Sequence, residues 1–176
     1  FIISALTPKD IDIEIIDENI EEINFDKKVN LVGITTMTTS SPRAYEIADT
    51  FRERGVPVVF GEIHATAVPE EAAQHADAVV IGEAEGSWER LLQDLKSKGK
   101  EGMAKFYQSS QRPDPAKIPI PRRELVENKR YFLTRFLQLT RGCPFDCIFC
   151  SVSRFFGKKY RFRPVKKVIE EIKGMI

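Results

Sequence analysis

The sequence predicts an α/β fold with a parallel sheet in its first hundred residues, and two observations lead to that prediction. Short apolar runs typical of buried strands alternate with segments whose apolar residues recur at helical spacing. Each helical segment is long enough to form the crossover that parallel strands need. Hydrophobic residues make up 42% of the 176 residues and charged residues 30%, as in an ordinary globular protein.

Four apolar runs are interpreted as strands. Residues 11–17 alternate between apolar and acidic side chains, and residues 31–34 form a short apolar run followed by a hydroxyl-rich segment. Residues 56–60 and 78–81 are apolar runs, each followed by a glycine-containing loop. A further strand is expected near residues 103–107. The carboxyl ends of such strands meet at one edge of a parallel sheet, where ligands bind.

Helices are predicted between these strands. Ser41 is expected to cap the first, with Pro42 in its first turn and Gly55 at its end. A short helix is predicted over residues 69–75, and Ser87 is expected to cap a longer one. The buried face of the first helix is predicted to consist of four apolar residues: Ala44, Ile47, Ala48 and Phe51.

All three cysteines lie within eight residues, as Cys143, Cys147 and Cys150, with the spacing Cys-x3-Cys-x2-Cys. An odd number of cysteines in so short a segment does not form a disulfide framework. Three thiolates can face one point, which suits a metal ion or an iron–sulfur cluster. Structural zinc usually takes four protein ligands, and both histidines, His64 and His75, lie far upstream. The spacing therefore favours a site with one open coordination position.

Phe149 precedes the last cysteine, and the whole segment resembles the signature of radical S-adenosylmethionine (radical SAM) enzymes. The resemblance implies that Cys143, Cys147 and Cys150 hold three irons of a 4Fe–4S cluster, with Phe149 in the cofactor-binding loop. It implies that the fourth iron binds S-adenosylmethionine, which is cleaved reductively to start radical chemistry. The electron would come from a donor such as a flavodoxin or a ferredoxin. In such enzymes the protein supplies binding and orientation, and the cofactors supply the difficult chemistry.

Residues 61–66, 69–71 and 82–85 resemble the cobalamin-binding-type domain that precedes many radical SAM modules. The resemblance implies a flavodoxin- or Rossmann-like sheet that binds cobalamin. Hydroxyl groups can donate to phosphate or ribose oxygens, and glycine lets a ligand approach the backbone. Glu62 stands where the family usually has a second glycine. The predicted cofactor-binding positions are Thr35, Thr36, Gly61, His64, Gly82 and Glu83.

Several of these interpretations have alternatives. His64 at a strand end is also compatible with a simple hydrogen bond to the backbone, and Glu83 with stabilisation of a nearby helix start. The upstream domain could be a cobalamin-free scaffold of a radical SAM protein. The three cysteines could instead form a zinc-binding interaction module, or remain unligated thiols.

The domain prediction has three parts. Residues 1–99 are expected to form the cobalamin-binding-type domain, with its first strand preceding Phe1, and residues 100–130 a linker. Residues 131–176 are expected to begin the radical SAM domain with the first β/α unit of a truncated barrel. The chain is thus interpreted as an N-terminal fragment, inactive alone, of an enzyme for methyl transfer or cyclisation. Apolar faces in residues 131–176 are expected to be exposed or to form a dimer contact.

Charge and hydropathy restrict the partners. A formal net charge of +1 predicts neither nucleic-acid nor membrane binding. The basic and aromatic residues 154–163 are assigned to the surroundings of the cluster loop rather than to RNA. No apolar run approaches the ~20 residues that a membrane-spanning helix needs. Clustered reduced cysteines predict a cytoplasmic location.

Overall fold

The computed structural model describes residues 1–126, 129 and 136–175. The strands in this part of the chain are β1 (Val32–Thr35), β2 (Val58–Gly61), β3 (Ala78–Ile81), β4 (Phe106–Gln108), β5 (Thr140–Arg141) and β6 (Arg161–Phe162). The α-helices are α1 (Ile2–Leu6), α2 (Ser41–Glu53), α3 (Glu62–Ala67), α4 (Pro69–His75), α5 (Ser87–Lys98), α6 (Ser151–Phe156) and α7 (Val165–Lys173). None of these helices has the length and apolar character required to cross a membrane.

The chain forms two compact units. The sheet unit comprises Phe25–Arg112, and the cysteine unit comprises Phe1–Asn24 together with Pro113–Ile176. This division does not test the predicted domain boundaries at residues 99 and 130, which stay a prediction.

The sheet unit contains a four-stranded sheet in the order β1-β2-β3-β4, with every neighbouring pair parallel. Thr35 at the end of β1 is in register with Gly61 at the end of β2. The fourth strand, β4, comes from the segment predicted to be a linker, and it pairs with β3. Helices connect β1 to β2, β2 to β3 and β3 to β4. The predicted Rossmann-like arrangement of a parallel sheet with flanking helices is therefore confirmed.

The core of the sheet unit is built from the two apolar patterns of its sequence. Val58, Phe60 and Val79 are completely buried in the central strands β2 and β3. The four residues predicted to form the inner face of α2 are all buried: Ala44, Ile47, Ala48 and Phe51. Each large apolar side chain buried in this way contributes about 1.5–3 kcal/mol to the free energy of unfolding. Helical and strand periodicity thus identify the residues that pack around the sheet.

Three predictions about local structure are wrong. Residues 11–17 do not form a strand, because they have no partner strand in the described part of the chain, although their burial still alternates. Ser41 and Ser87 are not caps but the first residues of α2 and α5, which are preceded by Ser40 and Gly86. Gly86 adopts a φ of 81°, a backbone conformation that strains any residue with a Cβ atom.

The cysteine unit contains a short antiparallel pair in which Thr140 of β5 lies opposite Phe162 of β6. Residues 131–135 of the predicted barrel strand lie outside the described residues, and residues 136–139 are not in a strand. The predicted exposure of apolar side chains is confirmed, while the predicted dimer contact stays a prediction. The exposed apolar residues of this segment are Phe136, Leu139, Phe145, Ile148, Phe149, Val152, Tyr160, Phe162, Val165, Ile169 and Ile172.

Candidate functional site

The carboxyl ends of β1, β2 and β3 lie at one edge of the sheet, and the predicted cofactor-binding positions of the upstream half lie at these strand ends or in the segments that follow them. Two backbone hydrogen bonds join these segments. The amide of Thr36 donates to the carbonyl of Gly61 at 3.3 Å, and the amide of His64 donates to the carbonyl of Thr36 at 3.3 Å. The edge is therefore a continuous backbone surface rather than a set of independent loops.

The two threonines at the end of β1 differ in exposure. Thr35 is exposed, whereas Thr36 is completely buried and its hydroxyl donates to the carbonyl of Met37 at 3.3 Å. A hydroxyl that is already bonded in the interior is not available to a ligand at the surface. Thr35 can donate to a ligand, and Thr36 joins β1 to its neighbours.

Gly61 and Gly82 create open space at this edge. Gly61 has an extended backbone, and a Cβ atom built on it would have no neighbouring atom within 4 Å. Gly82 has a φ of 78°, which favours glycine, and a Cβ atom there would also meet nothing within 4 Å. The amide of Gly82 donates to the Thr66 hydroxyl at 2.9 Å, which holds the loop after β3 in place. The two glycines thus leave the backbone accessible to a bulky group.

Glu62 departs from the family pattern at a position where the backbone matters. Its φ is 82°, and in the described part of the chain every other residue with a positive φ is a glycine. This left-handed conformation costs a residue with a Cβ atom about 1–2 kcal/mol relative to glycine. The conformation expected of a second glycine is therefore retained here, although the residue is a glutamate.

His64 is a buried residue with a partner on each ring nitrogen. Its side chain is 8% exposed. Nε2 lies 2.9 Å from the Tyr45 hydroxyl, and Nδ1 lies 3.3 Å from the Thr38 hydroxyl. The Tyr45 hydroxyl also donates to Glu71 Oε1 at 2.9 Å. Partial burial, together with this bond to Glu71, raises the pKa of Tyr45 to about 12, so the phenol keeps its proton near neutral pH.

The predicted binding residue Glu83, in the loop after β3, is also buried. Its side chain is 3% exposed, and its carboxylate lies 3.6 Å from Nη1 of Arg112. A buried carboxylate needs such a partner because removing a charge from water is costly. Glu83 therefore forms an ion pair with Arg112 within the sheet unit.

Tyr45 and Glu71 were not predicted from the sequence. Tyr45 is next to Ala44 at the inner edge of the apolar stripe of α2, and a polar side chain at such a position is a signal for a buried partner. Glu71 lies in the first turn of α4, where an acidic residue is ordinary and gives no signal.

One backbone hydrogen bond closes the base of the cysteine loop, and another lies within the loop. The amide of Cys143 donates to the carbonyl of Gly157 at 3.0 Å, and the amide of Cys150 donates to the carbonyl of Cys147 at 3.1 Å. All three thiols are free, with Cys147 exposed and the other two half-buried. Phe149, the remaining predicted binding residue, is 90% exposed.

Three thiols in one accessible loop are a donor set that fits an iron–sulfur cluster or another thiophilic metal. Within the described residues, no group of three His, Cys, Asp or Glu side chains is arranged to hold a metal ion. The cysteine side chains would therefore have to turn toward one another for all three to bind. The exposure of Cys147 and of its neighbours Ile148 and Phe149 leaves room for that change.

Residues 5–92 match the family model of the B12 binding domain. Three curated proteins illustrate the relatives. Over 98% of its length the chain is 39% identical to the bacteriochlorophyllide d C-8(2)-methyltransferase of Chlorobaculum tepidum, and it covers 40% of that protein. It is 31% identical to the bacteriochlorophyllide d C-12(1)-methyltransferase of the same organism, over 82% of this chain and 32% of that protein.

The third relative is the hopanoid C-2 methylase of Rhodopseudomonas palustris, which is 25% identical over 99% of this chain and 33% of that protein. The alignments thus cover 32–40% of the length of these relatives. Because the B12-binding model matches half of its residues, the chain belongs to the B12-binding domain family.

Proposed function

We propose that the sheet unit binds cobalamin at the carboxyl edge of β1, β2 and β3, and that the whole protein is a radical SAM enzyme that transfers a methyl group to carbon. In this proposal Cys143, Cys147 and Cys150 hold a 4Fe–4S cluster that binds S-adenosylmethionine. When bound, these cofactors supply radical initiation and a methyl group. An electron donor such as a flavodoxin or a ferredoxin would reduce the cluster.

The observation that supports cobalamin binding most strongly is the open backbone at Gly61 and Gly82 in a chain of the B12-binding family. A large ligand needs a surface without side chains at the point of closest approach. Thr35 adds an exposed hydroxyl at the same edge, where ligands of parallel sheets bind. The residues present therefore fit the cofactor.

Methyl transfer is proposed from the relatives rather than from the geometry. Two relatives are named as methyltransferases of numbered carbons of bacteriochlorophyllide d, and a third as a methylase of a numbered hopanoid carbon. Methylation of such carbons fits the combination of a B12-binding domain with the three-cysteine loop. Cyclisation, the other reaction class expected from the sequence, has less support among these three proteins.

Replacing Gly61 with valine tests cobalamin binding directly. We expect the variant to bind hydroxocobalamin about tenfold more weakly or not at all, because the new side chain would fill the open space at the edge. Its thermal unfolding midpoint should not fall, since the backbone there is extended and valine is favoured in strands. Binding is measured as the corrin absorbance that the protein retains on a desalting column.

Gly33→Ala is the matched control, because its new Cβ atom would make an ordinary contact of 3.6 Å with Trp88. It should retain the corrin as wild-type protein does. If wild-type protein retains no corrin, the sheet unit is a cobalamin-free scaffold. If Gly61→Val binds as tightly as wild type, cobalamin does not occupy this edge.

Anaerobic reconstitution with iron and sulfide tests the cysteine loop. Wild-type protein should take up both and develop thiolate-to-iron absorption, whereas Cys147→Ala should lose most of the bound iron because one of three ligands is missing. Ser151→Ala, at an exposed residue just after the loop, is the control and should load normally. Stoichiometric zinc without sulfide would contradict the cluster and support a zinc-binding interaction module.

A further inference from the structure

Four side chains in the sheet unit form a continuous hydrogen-bonded chain. Thr38 Oγ1 lies 3.3 Å from Nδ1 of His64, whose Nε2 lies 2.9 Å from the hydroxyl of Tyr45. The Tyr45 hydroxyl donates to Oε1 of Glu71 at 2.9 Å, and the same carboxylate oxygen lies 3.5 Å from Nε2 of His64. These hydrogen bonds therefore connect α4 and α2 to the turn that follows β1.

The Glu71 carboxylate, at one end of this series, determines which atom is the donor in each of the hydrogen bonds. An ionised carboxylate only accepts hydrogen bonds, so the single hydroxyl proton of Tyr45 is used on Glu71. The Tyr45 oxygen then has only lone pairs to offer, and Nε2 of His64 must carry a proton and donate to it. In a neutral ring Nδ1 is consequently an acceptor, and it accepts from the hydroxyl of Thr38.

The far end of this series of hydrogen bonds is the turn after β1, at the candidate cobalamin site. Thr38 begins a short 3-10 turn, Thr38–Ser40, between β1 and α2. The carbonyl of Thr38 accepts from the Ser41 hydroxyl at 3.0 Å, and the amide of Ser40 donates to the carbonyl of Met37 at 3.0 Å. Met37 to Ser40 are exposed, and the buried side chains of His64 and Ser41 both bond to Thr38, so they support this surface turn from the interior.

We propose that Glu71, Tyr45 and His64 are positioning residues that fix the tautomer of His64 and thereby hold the Thr38–Ser40 turn in the conformation that receives cobalamin. This inference rests on the proposed cobalamin site and deepens it. It assigns His64 to the support of the site instead of to contact with the ligand. None of the three side chains needs to touch the corrin.

His75 provides an internal contrast. Its ring stacks on Tyr45 at a centroid distance of 4.2 Å and an interplanar angle of 10°. Its Nδ1 lies 2.8 Å from Oδ2 of Asp49, and a carboxylate can only accept, so the Nδ1 of His75 carries a proton. The two histidines of the chain are therefore expected to be opposite tautomers when neutral.

Long-range proton–nitrogen correlation spectra of the histidine rings test the tautomers without any ligand. In alkaline buffer, where histidine rings are neutral, His64 should be the Nε2–H form and His75 the Nδ1–H form. The His75→Asn variant assigns the two rings. An Nδ1–H form of His64 in wild-type protein would overturn the inference, whether or not cobalamin binds.

Cobalamin affinity tests the consequence, and Tyr45→Phe is the informative variant. Phenylalanine keeps the ring but removes both hydrogen bonds of the hydroxyl, so hydroxocobalamin should bind about tenfold more weakly. Tyr107→Phe is the matched control, because the buried Tyr107 hydroxyl also donates to a carboxylate, that of Asp94, and accepts from the amide of Ala104. Glu71→Ala, which removes the acceptor of the Tyr45 hydroxyl, should weaken binding as Tyr45→Phe does.

These measurements separate the failure of the inference from the failure of the proposed function. Retention of hydroxocobalamin by wild-type protein but equal affinities of Tyr45→Phe and Tyr107→Phe would overturn the positioning role and leave the site intact. Wild-type protein that retains no corrin would overturn the proposed site. The ring spectra still decide the tautomers in that case, and a positioning role for cobalamin would then be rejected.

Discussion

Replacing Glu171 with glutamine is expected to lower the free energy of unfolding of the cysteine unit by about 3–5 kcal/mol. Glu171 is 1% exposed, and its carboxylate accepts hydrogen bonds from Arg123 and Arg163. The side chain of Arg163 is 4% exposed and that of Arg123 is 13% exposed. One buried and one largely buried guanidinium group thus share one buried carboxylate, and a neutral amide would leave both without this counter-charge.

The same cluster also holds the backbone that precedes β5. Arg123 Nη2 donates to the carbonyl of Phe136 at 2.7 Å, and Arg163 Nη1 donates to the carbonyl of Gln138 at 3.4 Å. Loss of the carboxylate therefore removes charge pairing and the orientation of two groups that bind the main chain. A buried charge that loses its partner is much more costly than a surface pair, which contributes about 0–1 kcal/mol.

Hydrogen–deuterium exchange of α7 measures this effect within the cysteine unit. The amides of α7 should exchange faster in Glu171→Gln than in Glu170→Gln, whose side chain is exposed on the same helix. The fluorescence of Trp88, the single tryptophan, reports on the sheet unit during urea unfolding. Equal exchange of the two variants would show that the buried charge cluster does not stabilise this unit.

Glu171 also shows what a sequence pattern cannot reveal. The apolar residues Val165, Ile169 and Ile172 of α7 are 73%, 47% and 40% exposed, in line with the exposure expected of apolar side chains in residues 131–176. The buried residue in α7 is the charged one. Periodicity reports where apolar side chains are, but burial of a glutamate depends on arginines 8 and 48 residues away in the chain.

The sheet unit was more predictable because its elements are specified locally. The stripe of α2, the apolar runs of β2 and β3, and the boundaries of α4 all follow from residues within one element. Residues 11–17 have the alternation of a strand but no partner strand in the described chain, and pairing is not encoded in one segment.

The candidate site divides in the same way. Gly61 and Gly82 could be predicted because glycine after a strand has a local structural meaning. The side chains around His64 could not, since Tyr45 lies 19 residues before it and meets Glu71 across 26 residues. Hydrogen bonds between distant side chains become visible only when the helices have been placed around the sheet.

Gly142→Ala is expected to disrupt the cysteine loop more than any other single methyl group added to a glycine with described surroundings. Gly142 has a φ of 87°, and a Cβ atom there would lie 2.1 Å from the carbonyl oxygen of Lys159 and 3.0 Å from that of Gly157. Both neighbours are backbone atoms, so neither can rotate away. The left-handed conformation alone costs about 1–3 kcal/mol, and the overlap requires β5 to separate from the turn before β6.

That separation would break the bond from the amide of Cys143 to the carbonyl of Gly157, which closes the base of the loop. Limited proteolysis should therefore cleave Gly142→Ala between residues 142 and 159 much faster than wild-type protein. Iron uptake after reconstitution should fall to the level of Cys147→Ala. The control is Gly174→Ala, because its new Cβ atom would lie 3.5 Å from its nearest neighbour and its φ is −75°.

Limited proteolysis tests the structure of the loop, and iron uptake tests the cluster that the loop is proposed to hold. Faster cleavage together with absent iron in wild-type protein would support the role of Gly142 and reject the cluster. Unchanged cleavage of Gly142→Ala would contradict the close approach of the Lys159 carbonyl to the glycine. Glycine is required here because two carbonyl groups converge on its α-carbon, so the position of Cys143 depends on a residue that has no side chain to give way.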